Sequence, residues 1–123
     1  MHGGHIRFGA AVLLAAALAV APGIAAAHAI IRSAVPAVGA VVRGSTVEVL
    51  LRFNSRLDRE RSRLTLMGAD GASTVVALKD TDSLDTLAAT IAGVAPGAYR
   101  LHWQVLAVDG HITRGDIPFS VAP

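Results

Sequence analysis

The stretch STVEVLLRF, residues 45–53, places Val47, Val49, Leu51 and Phe53 two apart, with Glu48 and Arg52 among the residues between them. Side chains of an extended chain alternate between faces, so this spacing predicts a strand with one buried face. The same period returns in GAYRLHWQVLAV. There Tyr99, Leu101, Trp103 and Val105 fall inward, and Arg100, His102 and Gln104 outward. It returns again in GDIPFSV, with Ile117, Phe119 and Val121 on one side. Pro118 has no amide hydrogen, so its strand is an edge or its nitrogen faces away from a neighbour. RLTLMG and STVVAL flank Ala69-Asp70-Gly71, a strong hairpin signal, and Pro96-Gly97 marks another turn. TLAATI fits a strand, although its alanines would also suit a helix. NSRLDRERSR, residues 54–63, reads as a solvated loop, with a docking patch for an acidic partner as the alternative.

Short strands at close spacing, joined by turn residues and without a convincing long helix, predict an all-β fold. The expected form is a small antiparallel β-sandwich or Greek-key barrel of immunoglobulin-like type, following an N-terminal signal peptide. That N-terminal segment breaks the alternation. A short polar start carrying Arg7 leads into an alanine- and leucine-rich run, 8–21, which Pro22-Gly23 ends before a series of small residues. This order matches an export signal. The rival reading, a membrane anchor, suffers because the proline-glycine pair stops the run short of the ~20 residues a span needs. Cleavage after Ala27 divides the chain into a signal, 1–27, and one domain, 28–123, whose first residue is His28. Ala27-His28-Ala29 also satisfies the small-x-small rule, so cleavage after Ala29 is the alternative.

Composition narrows the chemistry. Loss of Arg7 with the signal leaves ten cations against nine anions. Near neutrality and export together argue against nucleic acid as a partner. The 123 residues include no cysteine, which excludes disulfides and thiolate metal sites.

Three histidines follow the signal: His28, His102 and His111. His102 lies on an outward strand face and reads as an exposed strand histidine. His111 follows Asp109 with only Gly110 between, so a carboxylate and an imidazole can converge. Asp-Gly is also ordinary turn chemistry, and the motif alone leaves both readings open. A first residue His28 would add an α-amine and its own imidazole. Nitrogen and oxygen donors without sulfur suit Cu(II) better than Zn(II) or Cu(I). The pair Asp80 and Asp82 resembles the start of a calcium loop, but Leu84 and Asp85 stand where that loop needs an oxygen ligand and a glycine.

HAIIRSAVPAVGAVV, VEVLLRF, GVAPGAYRLHWQVLAVDGH and GDIPFSV together resemble the CopC family of periplasmic copper-resistance and copper-handling proteins. The resemblance spans 28–121. It implies a β-sandwich or Greek-key domain, a periplasmic location and one Cu(II) ion held by His28, Asp109 and His111. It implies copper sequestration or delivery, with an inner-membrane copper transporter of the CopD type or another copper-resistance protein as partner. A monomer without enzymatic activity is expected. Only Met67 remains after the signal, so no Cu(I) methionine site is expected. Where the family tends to carry an acidic residue and proline after its early strand, this chain has Ser55-Arg56. Where proline tends to follow the last histidine, it has Ile112. Two other readings remain: a metal-free β-sandwich interaction module, and a copper enzyme like the polysaccharide-oxidising monooxygenases. The latter needs open coordination positions and a broad substrate surface, whereas this chain's few aromatics mostly fall inward.

Overall fold

The computed structural model describes residues 29–123; the expected signal, 1–27, and His28 lie outside the described residues. Eight strands form two sheets. The smaller sheet holds β1 (Ile31–Val35), β3 (Val47–Phe53) and β6 (Thr86–Ile91), in the order β1-β3-β6. The larger one holds β2 (Val41–Arg43), β4 (Leu57–Gly68), β5 (Ser73–Val75), β7 (Gly97–Ala107) and β8 (Ile112–Ala122), in the order β2-β8-β7-β4-β5. The expected all-β sandwich is therefore present, as two open sheets and not a closed barrel. One pairing departs from the antiparallel expectation: β2 runs parallel to β8.

The alternation read in the sequence decides which side chains fill the space between the sheets. Val47, Val49, Leu51 and Phe53 of β3 are buried, while Glu48, Leu50 and Arg52 are exposed. Leu101, Trp103 and Val105 of β7 and Ile117, Phe119 and Val121 of β8 face them from the larger sheet. Tyr99 is half-buried against the same core, its ring stacked on Phe119 and its hydroxyl donating to the Ala95 carbonyl at 2.6 Å. Each fully buried large aliphatic side chain contributes roughly 1.5–3 kcal/mol, and the alternating pattern supplies most of them. The strand choice for TLAATI holds: Leu87 and Ala89 face the core, and Ala88 is also buried beside its bridge to Lys79.

The single tryptophan sits at the seam between the sheets. Its ring meets Phe53 of the smaller sheet edge-on, with centroids 5.1 Å apart. Its cross-strand partner is Gly115, and a Cβ there would overlap the indole. Gly115 thus creates the space the indole occupies.

Residues 54–63 do not form a loop throughout. From Leu57 they belong to β4, whose pairing with β7 is interrupted by an irregularity between Asp58 and Arg63. Within that irregularity Ser62 is buried, donating to the Asp58 carbonyl and accepting from the Leu106 amide. Arg61 pairs with the Asp58 carboxylate at 2.7 Å. Charged residues sit on a strand because the bulge turns them to solvent. Pro118 lies within β8, which has neighbours on both sides. Its carbonyl accepts from Gly39 at 2.7 Å, and its nitrogen faces the side where β2, which starts at Val41, does not reach.

Candidate functional site

The β7–β8 connection is a tight hairpin. The Ala107 carbonyl accepts from Gly110, and the Ala107 amide donates to the His111 carbonyl, both at 2.9 Å. Gly110 closes the turn with φ +93°, a conformation that glycine enters without steric cost. Asp109 turns its carboxylate back onto the loop, where Oδ1 accepts from the His111 amide at 3.1 Å. The same oxygen lies 3.1 Å from His111 Nδ1. Both side chains remain about half exposed, 42% and 50% respectively. The turn therefore presents a carboxylate oxygen and an imidazole together, held by three backbone-directed hydrogen bonds.

The start of the described chain reaches the same end of the sandwich. The Ile30 amide donates to the Asn54 side chain at 2.8 Å, and the Asn54 amide donates to the Ile30 carbonyl at 3.0 Å. Two residues on, the Arg56 carbonyl accepts from Val108 at 3.1 Å, and Leu57 pairs with Ala107. The 53–57 connection is thus the link between Ile30 and the 109–111 turn. Ala29 is fully buried in the core. His28, the remaining residue of the expected set, lies outside the described residues. Among the described residues no group of three or more metal-binding side chains forms, so Asp109 and His111 stand as a two-donor pair.

His102 is placed as expected on the outward face of β7, but with a partner the sequence reading missed. Its Nδ1 lies 2.8 Å from Asp116 Oδ1, directly across the β7–β8 ladder. Residues 102 and 116 are equidistant from Asp109, as is every pair in that hairpin. The turn position alone therefore carried the signal. The acidic stretch at 80–85 is held by Arg59, which donates to the carbonyls of Thr81 and Ser83. Two surface clefts flank Tyr99 beside Asp70 and Gly71, at the opposite end of β7 from Asp109 and His111.

The CopC domain family model matches residues 31–122, and the chain belongs to that family. It is similar to the protein named YobA of Escherichia coli K12, with 30% identity over 98 residues, 77% of this chain and 79% of that one. Among solved structures it is similar to CopC from Methylosinus trichosporium OB3b, with a TM-score of 0.70 and 28% identity over 78% of this chain and 95% of the other. It is also similar to PcoC, a methionine-rich copper resistance protein of Escherichia coli. There the TM-score is 0.59 and the identity 25%, covering 78% of this chain and all of that one.

Proposed function

We propose that the chain is an exported, periplasmic protein that binds one Cu(II) ion and sequesters it or hands it to a membrane or copper-resistance partner. In this reading the residue freed by cleavage, His28, supplies its α-amine and imidazole, His111 a second imidazole and Asp109 a carboxylate oxygen. The observation that carries the reading is that the 53–57 connection ties both Ile30 and the strand end just before the 109–111 turn at one end of a CopC-family sandwich. Ile30 is clamped to Asn54, and Val108 to Arg56 two residues further along. Residue 28 is only two residues from Ile30, and consecutive Cα atoms are about 3.8 Å apart. Full burial of Ala29 also favours cleavage after Ala27, because cleavage after Ala29 would remove a core residue.

The donor set fits copper's cupric state. Nitrogen and carboxylate donors without thiolate or thioether favour Cu(II) over Cu(I), and copper is cargo here, not a catalyst. Ligands must shed protons to coordinate, so acid releases the metal. The function is that of a monomeric carrier, with no enzymatic step and no nucleic-acid partner.

Two measurements test this. The intact mass of the exported protein is expected to correspond to residues 28–123; a mass starting at Ile30, or an uncleaved chain, defeats the amine ligand. Cu(II) titration followed by electron paramagnetic resonance is expected to show one nitrogen-rich site. One glycine added ahead of His28 is expected to weaken that site by at least about 100-fold, beyond the cost of disturbing an outer-shell contact. Equal binding by the extended and native forms would remove His28 from the ligand set.

A further inference from the structure

The outer face of the larger sheet is arranged in rows across its strands. One row reads Arg114, Gln104, Arg63, and the next Asp116, His102, Thr65. A third reads Pro118, Arg100, Met67. Further along, Arg43 on β2 sits beside Ala122. Arg43, Arg63, Arg100 and Arg114 are all exposed, and no salt bridge among the described residues engages any of them. Arg114 is steadied by Gln104, its Nε donating to Oε1 at 2.8 Å. Asp116, the carboxylate among these rows, already lies against His102. Asp58 and Glu60 lie in the bulged start of β4, Asp58 already held by Arg61 at 2.7 Å, and Asp70 and Asp109 lie in the turns at the two ends of the sheet. Asp80, Asp82 and Asp85 precede β6, and Glu48 is on the smaller sheet, with Lys79 3.7 Å away. Four of the ten cations that follow residue 27 therefore stand on this flat face without an ion-pair partner.

We propose that this face is a docking surface for an acidic polypeptide segment, laid along β7. Neighbouring strands are about 4.8 Å apart, which sets Arg63 and Arg114 roughly 10 Å apart on either side of Gln104. Arg100 lies four residues along β7 from Gln104, about 14 Å away. Carboxylates spaced along an extended chain suit such an array, because each guanidinium offers a planar pair of donors. A lipid surface fits less well. The rows carry no aromatic side chain, and interfacial binding draws on apolar and aromatic anchors. The surface is separate from the 109–111 turn and does not depend on copper.

The test uses the purified protein and a fluorescein-labelled peptide of eight alternating Asp and Glu residues, with a Gln and Asn version as control. Binding by the acidic peptide alone is expected, weakening at least tenfold between about 20 and 300 mM salt, as exposed charge pairs are screened. Replacing Arg63, Arg100 and Arg114 together by Gln should weaken binding at least tenfold. Replacing Arg32 and Arg52, on the smaller sheet, should leave it unchanged. Amide shifts in the native protein should map to β4, β7 and β8, an arm that requires no variant to fold. Equal loss in both variants would reduce the effect to net charge and overturn the proposal. So would shifts confined to the 109–111 turn, or binding to phosphatidylglycerol vesicles without binding to the peptide.

Discussion

The molecule builds the same turn twice and gives it a different last residue. The β4–β5 connection runs Gly68, Ala69, Asp70, Gly71, Ala72; the β7–β8 connection runs Ala107, Val108, Asp109, Gly110, His111. In the first, Gly71 donates to Gly68 at 3.1 Å, Gly68 to the Ala72 carbonyl at 2.9 Å, and Ala72 to Asp70 Oδ1 at 3.0 Å. The second repeats each bond one for one. Gly71 and Gly110 share the left-handed conformation, at φ +85° and +93°. Asp-Gly is thus turn chemistry in both places, which is how a three-residue hairpin loop closes. What distinguishes the second turn is an imidazole in place of a methyl group, at the end of the sandwich where Ile30 is anchored to Asn54.

The largest expected effect separates the turns by function. His111→Ala, which gives the second turn the first one's last residue, should reduce Cu(II) affinity by at least about 100-fold, with little change in thermal stability. Ala72→His, the reverse exchange, should not create a comparable site, since no anchored chain start lies beside it. Titration of both variants decides the matter: comparable copper binding at the two turns would show that local sequence suffices and that convergence adds nothing.

Glycine substitutions come next. Gly115→Ala drives a methyl group into the Trp103 indole and should cost about 1–3 kcal/mol by overpacking. Gly71→Ala and Gly110→Ala meet no neighbouring atom, so their cost is purely conformational, about 1–2 kcal/mol each. Denaturant melts should show the two turn variants matched to each other. A clear difference would mean that the turns are alike in geometry but not in strain. Only Gly110→Ala should also disturb copper binding.

The smallest effect concerns a carboxylate held by a guanidinium instead of by a turn. The Arg61 hydrogen bond holds the Asp58 carboxyl below its ordinary value. A depressed value in the folded state means stability that is present above the unfolded value of about 3.9 and lost as pH falls through the folded one. Asp58→Asn should therefore be slightly less stable than the native protein near neutral pH. The gap should close below about pH 4, as followed by melts across an acid series. A gap that persists at low pH would assign the effect to the buried Ser62 bonds instead.

How legible all this was in the sequence depends on the range of each contact. The faces of β3, β7 and β8 could be read directly, because a period of two survives wherever one face is buried. The β7–β8 register was implicit in the position of the Asp109 turn, yet the His102–Asp116 pair it creates was missed. β2 left no such trace: three residues with one half-buried valine show no period, and its parallel partner lies far along the chain. Residues 57–63 concealed a strand because the arginines face water where the ladder with β7 is interrupted between Asp58 and Arg63. The candidate site divides in the same way. Asp109 and His111 are neighbours in sequence and were visible. The link from that turn towards Ile30 runs through the contact of Ile30 with Asn54, 24 residues apart, which no local pattern encodes.

The contact between Trp103 and Phe53 bridges the two sheets and involves the protein's one indole. Emission from that ring reports the opening of the seam, while backbone dichroism reports the melting of the strands. If the two signals fall together during unfolding, the layers are a single cooperative body; if fluorescence moves first, they slide apart while each is still folded.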